Sequence, residues 1–210
     1  MLAHEGGQRH TGGMKRILLG LAVLALVGCA TPAPAPTPEP TASTAAPIVF
    51  NQELHDELIA MFDRDQAGRL GGEDNEGDQR RTERLGEIVD EFGWPGLSLV
   101  GKDGEDAAWT IAQHSDLDPE DQARFLEELR SAFERGEASP GNLAYLEDRV
   151  AVAQGKPQLY GTQVGCGPDG PVAATPIRDE AGVEQRRKDA GLDPLADYLE
   201  EMAGICAEEF

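Results

Sequence analysis

Apolar side chains recur at three- and four-residue spacings through most of the chain beyond residue 50. In residues 52–66, for example, Leu54, Leu58, Met61 and Phe62 fall on one stripe. This period is typical of an amphipathic helix, because residues three and four apart share one helical face. The pattern predicts helices over residues 52–66, 80–92 and 104–114, and two more that begin at Asp118-Pro119 and Ser139-Pro140.

Glycine and proline separate these periodic segments, and the pattern changes after residue 156. We interpret residues 97–100 as a short strand or loop, because they follow the breaker Gly93-Trp94-Pro95-Gly96. Residues 159–164 and 172–177 flank a turn-rich stretch, 166–171, and two short helices over about 180–189 and 193–205 follow. We therefore predict a mainly α fold: a single helical domain, 48–210, with a small irregular β hairpin or ordered loop near 157–177.

The N-terminal region has the order of a bacterial export signal. Met14-Lys15-Arg16 is basic, the 11 residues 17–27 are apolar, and Leu26-Val27-Gly28-Cys29 resembles a lipobox. A transmembrane helix needs about 20 apolar residues, so this segment is too short to span a bilayer. We expect residues 14–28 to be a lipoprotein signal peptide, Cys29 to be lipidated, and residues 1–13 to precede the true start. The alternative is an ordinary signal peptide in which Cys29 is incidental.

Residues 29–47 combine the lipidated cysteine with a stretch rich in proline, alanine and threonine. Prolines favour an extended chain of about 3 Å per residue rather than a packed element. We expect a tether that holds the domain away from a membrane, so that the membrane is a partner through the lipid on Cys29. The expected location is the periplasmic or extracellular face of a bacterial envelope membrane.

The chain is strongly acidic, with a formal net charge of -21. Only Glu5 and Glu39 among the acidic residues precede residue 48, so the charge lies on the domain. Such a surface repels phosphate backbones, and we expect no nucleic acid partner.

Three cysteines are present, and lipidation of Cys29 would leave Cys166 and Cys206. An oxidising compartment would allow these two to form a disulfide, although two free thiols are the alternative. His55 and His114 are the histidines of the domain, and no paired ligand spacing favours zinc. We expect neither a metal nor a cofactor.

A calcium loop is a further alternative in residues 63–74. Asp63 and Asp65 occupy its first and third positions, and Gly68 its sixth. Ala67 stands where an oxygen ligand belongs, and Asp74 stands where a bidentate glutamate is usual. These departures argue against calcium.

Several polar motifs follow one another along the domain. They are Asp65-Gln66-x-x-Arg69, Gly93-Trp94-Pro95, Gln113-His114, Ala144-Tyr145-Leu146-Glu147-Asp148-Arg149, Gln158-Leu159-Tyr160-Gly161-Thr162-Gln163, and Arg186-Arg187 ahead of Gly191-Leu192. In this order they resemble a widespread bacterial family of uncharacterised domains, and the similarity extends over nearly all of residues 50–200. The resemblance implies a shared, largely helical fold and no particular activity.

His114 is the residue best suited to proton transfer, because imidazole titrates near neutral pH. It stands at the end of a predicted helix, beside Gln113. With Asp148 to orient its ring, His114 would act as a general base. The competing interpretation is a structural histidine that fastens the following loop to the helix.

The remaining candidates have side chains suited to ligand binding. Arg69 and Arg149 could each hold an anion through a forked guanidinium, or could pair with a neighbouring carboxylate. Asp65 lies one helical turn before Arg69. Tyr160 and Gln163 belong to a segment dense in hydrogen-bonding groups, which suits either a cleft lining or a loop tied onto helices.

These features support three functional hypotheses. The first is an accessory or binding lipoprotein for a small polar ligand or an envelope component, with Asp65, Arg69, Gln113, Arg149, Tyr160 and Gln163 as binding residues. The second is an acid/base enzyme that uses His114 and Asp148 with an arginine anion clamp. In the third, the polar residues form a purely structural network, and function resides in protein partners.

Overall fold

A computed structural model describes the backbone of residues 48–209 and the side chains of residues 48–207. The predicted signal peptide, Cys29 and the whole tether lie outside the described residues. The described part confirms the mainly α fold with a small hairpin. Its helices are α1 (Gln52–Arg69), α2 (Gly77–Phe92), α3 (Leu97–Gln113), α4 (Pro119–Glu134), α5 (Pro140–Ala153), α6 (Val183–Asp189) and α7 (Leu195–Glu209), and its strands are β1 (Val164–Gly167) and β2 (Gly170–Ala173).

Side-chain caps begin α1 and α5, and the prolines that the sequence indicated begin α4 and α5. The side chain of Asn51 accepts a hydrogen bond from the amide of the third residue on, at 3.1 Å, and begins α1. Ser139 caps α5 in the same way at 3.4 Å. Pro119 and Pro140 occupy the first turns of α4 and α5, where the missing N–H of proline costs no hydrogen bond.

Helix α3 lies at the centre of the domain and packs against α1, α2, α4 and α5. Its residues 110–113 are all buried, as are Ala107 and Ala108, so several of its faces are buried at once. The fully buried apolar residues that the neighbouring helices contribute include Leu58, Met61, Leu85, Ile88, Phe125, Leu129 and Leu146.

The prediction of a strand or loop over residues 97–100 is wrong, because these residues form the first turn of α3. The carbonyl of Gly96 accepts hydrogen bonds from the amides of Leu99 and Val100, at 2.9 and 3.0 Å. Gly101, at a φ of 76°, then breaks the helix before it continues. A single turn bounded by glycines is too short to show helical periodicity in the sequence.

The hairpin is shorter than predicted and lies further along the chain than its first expected strand. Val164 pairs with Ala173 and Gly167 pairs with Gly170, so the turn lies at residues 168–169. A disulfide between Cys166 and Cys206, with a Cα–Cα distance of 5.3 Å, joins this hairpin to α7 and confirms the predicted pair. Among the described residues, no helix combines the length and the apolar character needed to cross a bilayer.

Candidate functional site

A buried carboxylate from α1 meets the imidazole at the end of α3. The side chain of Asp65 is completely buried, and its two oxygens lie 3.0 and 2.9 Å from Nδ1 of His114. Nε of Arg69 donates to the same two oxygens, at 3.2 and 3.1 Å. Three residues that the sequence analysis selected therefore converge on one point.

The hydrogen bonds determine which nitrogen of His114 carries the proton. Nε of Arg69 also lies 3.0 Å from Nδ1, a contact that would suit an unprotonated nitrogen. An unprotonated Nδ1 would, however, place its lone pair against both oxygens of Asp65, and the N–H of Arg69 already has these oxygens as acceptors. We therefore assign the proton to Nδ1, as the donor to Asp65. The lone pair then lies on Nε2, which has no hydrogen-bond partner among residues 48–207. The side chain of His114 is 23% exposed. The ring is thus oriented as a base with an accessible acceptor.

The charges of the cluster keep this pair as neutral imidazole and ionised carboxylate. Burial lowers the pKa of His114 below its ordinary value of 6.5, and the positive charge of Arg69 adds to the effect, although Asp65 opposes it. Burial alone would raise the pKa of Asp65, but hydrogen bonds and charge from Arg69 and His114 outweigh it and lower that pKa. At neutral pH the site can accept a proton.

A second set of ion pairs, made by Asp78, Arg81 and Asp74, binds the side chain of Arg69 next to Asp65. Arg69 also donates to Asp78 at 2.9 Å, and Asp78 accepts from Arg81 at 2.7 Å. Arg81, only 2% exposed, donates to both oxygens of Asp74, at 2.9 and 2.8 Å, which lowers the pKa of Asp74. The acidic side chains at positions three and twelve of the considered calcium loop are therefore bound to arginines.

The other selected arginine, Arg149 on α5, lies at the edge of an open cleft. Its Nε donates to Asp116 at 2.9 Å, its Nη2 donates to the second oxygen of Asp116, and its Nη1 donates to Oε1 of Gln163 at 3.1 Å. These three side chains line a cleft of about 360 Å³, whose apolar wall comes from Val152, Ala153, Val164 and Ala174. We call it the Arg149 cleft.

The Arg149 cleft and the His114 pair are electrostatically linked. The positive charge of Arg149 contributes to lowering the pKa of His114. In turn, Asp116 has a lowered pKa: burial opposes ionisation, but Arg149, Gln122 and His114 outweigh it. Gln122 connects the two regions, because its amide donates to Asp116 at 3.0 Å and to the carbonyl of Gln113 at 3.2 Å.

The sequence predicted that Asp148 orients the ring of His114, and this prediction is wrong. Asp148 is completely buried, and its carboxylate accepts hydrogen bonds from the amides of Leu159, Tyr160 and Thr162 and from the Thr162 hydroxyl. Asp65 occupies the expected place instead. Asp148 fastens the segment before the hairpin to α5, and for this reason residues 159–162 cannot pair as a strand.

Tyr160 also lies away from the His114 pair. It lines a separate cavity of about 250 Å³ with Phe133, Leu143 and Arg186, among others. Burial raises the pKa of Tyr160 to about 12, so its hydroxyl keeps its proton at neutral pH. Of the predicted site residues, Arg149 and Gln163 share the cleft, whereas Tyr160 does not.

The sequence predicted that Arg69 or Arg149 would bind an anion. In the structure each guanidinium already binds a carboxylate, that of Asp65 for Arg69 and that of Asp116 for Arg149. Sequence reasoning missed Asp116, the partner of Arg149, although its position two residues after His114 at a helix end was a usable signal. It also missed the supporting pair Asp78 and Arg81, whose only signal is an acid and a base three apart.

Within residues 48–207, no group of three or more His, Cys, Asp or Glu side chains is arranged to hold a metal ion.

The fold and this site define a single, mainly helical domain with a charged polar cleft. The model of a family of unknown function, DUF6624, matches residues 52–206, and the chain therefore belongs to that family. The match agrees with the expectation of an uncharacterised domain, and it does not test the individual polar motifs. Comparisons with curated proteins and with solved structures give no match.

Proposed function

We propose that this chain is an envelope lipoprotein whose domain binds a small polar ligand in the Arg149 cleft. The observation that carries the proposal is the partly exposed ion pair at the cleft, where the Arg149 and Asp116 side chains are 33% and 51% exposed. A ligand can therefore reach both charges and the amide of Gln163. His114 does not line the cleft, but it interacts with the charges of Asp116 and Arg149.

The size and lining of the cleft agree with this role. Small-molecule sites usually have volumes of about 300–1,000 Å³ and combine an apolar wall with a few polar groups. The Arg149 cleft, at about 360 Å³, lies at the small end of that range and has this composition. A small and polar ligand fits better than a large apolar one.

Binding can be tested by thermal denaturation of the purified full chain with a panel of amino acids, sugars and small organic acids. A ligand of the cleft raises the melting temperature of the wild type, because it binds only the folded state. Gln163→Ala should remove this shift. The matched control is Gln79→Ala, an exposed amide on α2 that does not line the cleft. An identical shift in Gln163→Ala and wild type would contradict the proposal.

Delivery to the envelope is supported by the sequence around Cys29 and by the disulfide, since disulfides persist in oxidising compartments. In detergent phase separation of expressing bacterial cells, the wild type should enter the detergent phase. Cys29→Ser should leave it in the aqueous phase or in uncleaved form. Equal partitioning of the two proteins, with both shown by mass to lack residues 1–28, would contradict a lipid anchor at Cys29.

Acid/base catalysis is the second candidate, and the orientation of His114 by Asp65 is the observation that favours it. A catalytic base needs an accessible lone pair. Diethyl pyrocarbonate, which acylates accessible neutral imidazole, should therefore modify His114 in the folded chain, as read by peptide mass. If His114 reacts only after unfolding, its Nε2 is sealed and this candidate fails.

A further inference from the structure

The side-chain amide of Gln158 is completely buried and makes three hydrogen bonds. Its Oε1 accepts from the backbone N–H of Gln163 at 2.8 Å, and its Nε2 donates to the carbonyls of Gln163 at 2.9 Å and of Thr175 at 3.0 Å. The reversed amide would point its N–H groups at the N–H of Gln163, so these contacts allow one orientation only. The side chain of Gln158 therefore holds the backbone of Gln163 on both sides.

These hydrogen bonds hold the wall of the Arg149 cleft that α5 does not supply. Gln163, Val164 and Ala174 form this wall. The backbone N–H of Ala174 donates to the carbonyl of Gln163 at 2.9 Å, and this is the carbonyl that Gln158 also binds. The other carbonyl partner of Gln158 belongs to Thr175, which follows Ala174 directly. The two chain segments of the wall are thus joined at one buried amide.

The side chain of Gln163 extends this arrangement to the charged side of the cleft. Its Oε1 accepts from Nη1 of Arg149 at 3.1 Å. Its Nε2 donates to the hydroxyl of Thr162 at 3.2 Å and to the carbonyl of Tyr145 at 3.5 Å, which directs the amide oxygen to the guanidinium. Gln158 does not line the cleft and is fully buried, so it acts there only through Gln163.

We infer that Gln158 is a positioning residue of the Arg149 cleft, which fixes the place of Gln163 and, through Gln163, the orientation of the Arg149 guanidinium. Its importance for binding rests on the proposed function of the cleft. Removal of the Gln158 amide leaves the hydrogen bond between Ala174 and Gln163 in place. The two segments of the wall therefore stay together, while Gln163 loses its fixed position beside Arg149.

The test measures the reactivity of Arg149 in the full chain with phenylglyoxal, which modifies accessible guanidinium groups, as read by peptide mass. Arg124 is the internal control, because its side chain is 36% exposed against 33% for Arg149 and it also binds carboxylates. Gln158→Met keeps the length of the side chain and removes its amide. This variant should speed the modification of Arg149 about fivefold, since one hydrogen bond to the guanidinium is lost, and should leave Arg124 unchanged. Gln79→Met, the same exchange at an exposed amide of α2, should change neither.

A double variant separates positioning from a general loosening of the domain. Gln163→Ala removes the acceptor of Arg149 directly and should speed its modification to a similar extent. Because Gln158 acts through Gln163, Gln158→Met/Gln163→Ala should react no faster at Arg149 than Gln163→Ala alone. Gln158→Asn, which keeps an amide and shortens the side chain by one methylene group, replaces Gln158→Met if that variant does not fold, and should show a smaller increase.

The possible results distinguish this inference from the proposed function. Unchanged modification of Arg149 in the Gln158 variants, or an equal acceleration at Arg124, would overturn the positioning role, whatever the cleft binds. Additive effects in the double variant would overturn it as well. If Arg149 responds as expected and no amino acid, sugar or organic acid raises the melting temperature of the wild type, the positioning role stands and the proposed binding function fails. A compound of that panel that does bind should bind Gln158→Met about fivefold more weakly.

Discussion

Oδ2 of Asp65 lies 2.9 Å from Nδ1 of His114, although the two residues are 49 positions apart in the chain. The contact joins the last turns of α1 and α3 and directs Nε2 of the ring away from the carboxylate. Because Asp65 is fully buried and also bound by Arg69, it cannot turn away from the imidazole. The pair is therefore a preorganised unit.

The protonation of His114 is the first testable consequence. Burial and the charge of Arg69 lower its pKa, so its NMR titration should have a midpoint below 6.5. Arg69→Gln should move that midpoint upwards, because a positive charge no longer disfavours imidazolium. Nitrogen chemical shifts above the midpoint should show the proton on Nδ1.

His55 provides an internal control for this titration. Hydrogen bonds to Asp56 and Asp103 raise its pKa, so its midpoint should lie above 6.5 in the same spectra. Arg69→Gln should leave the titration midpoint of His55 unchanged. A midpoint of His114 at or above that of His55 would contradict the described electrostatics.

Asp148 should be important for stability rather than for proton transfer. Asp148→Ala would leave the buried amides of Leu159, Tyr160 and Thr162 without their acceptor, at a cost of about 3 kcal/mol in the free energy of unfolding. Asp121→Ala, which removes a partly exposed carboxylate of α4, should cost less than about 0.5 kcal/mol. Urea denaturation measures both. Equal losses would show that Asp148 does not fasten this segment.

Glu105 should make the stability of the domain depend on pH. It is completely buried and accepts hydrogen bonds from Asn142 at 2.9 Å and Trp94 at 3.4 Å. Burial, together with the charge of Asp106, raises the pKa of Glu105 from 4.5 to about 7. Between these two pH values the folded state keeps a proton that the unfolded chain has lost, so stability decreases as the pH rises.

Glu105→Gln isolates this effect from other groups, because His114 acts in the opposite direction below pH 6.5. Relative to wild type, the variant should gain about 3 kcal/mol between pH 4.5 and pH 8, with the gain complete above about pH 7. Urea denaturation across this pH range measures the difference. A difference that does not change with pH would mean that Glu105 is ionised in the folded domain throughout.

The Cys166–Cys206 disulfide should stabilise the C-terminal part of the domain. The bond closes a loop with a sequence separation of 40, for which chain entropy predicts about 4 kcal/mol. Dithiothreitol should lower the melting temperature of the wild type and should have no effect on the double variant Cys166→Ala/Cys206→Ala. Hydrogen exchange should accelerate in β1, β2 and α7 of that variant. Unchanged exchange there would show that the bond does not hold the hairpin to α7.

Most of the fold could be predicted because its signals are local. The periodic apolar positions lie within the helices that they specify, and Asp118-Pro119 and Ser139-Pro140 stand directly at the starts of α4 and α5. The disulfide could be predicted because assigning Cys29 to the expected lipid leaves one pair of cysteines. The helical turn over residues 97–100 could not be predicted, because it ends at the conformation of Gly101 and because one turn is too short to show helical periodicity.

The site was harder to predict because its contacts join distant segments. Asp65 and Asp148 are both acids within polar motifs, and no local feature shows which one meets His114. The answer depends on the packing of α1 against α3, which is a tertiary property. The same is true of Asp116: its position two residues after His114 marks it as a candidate, but its pairing with Arg149 follows only from tertiary packing.

The most direct test of the central claim is the NMR spectrum of the full chain with and without the panel of polar compounds, observed at Arg149 and Gln163. If the Arg149 cleft is the binding site, the side-chain signals of these two residues shift together and saturate with one compound, and Gln163→Ala weakens that response. If a compound binds and its shifts fall elsewhere, for example around Tyr160, or if no compound shifts either residue, the proposed site is wrong.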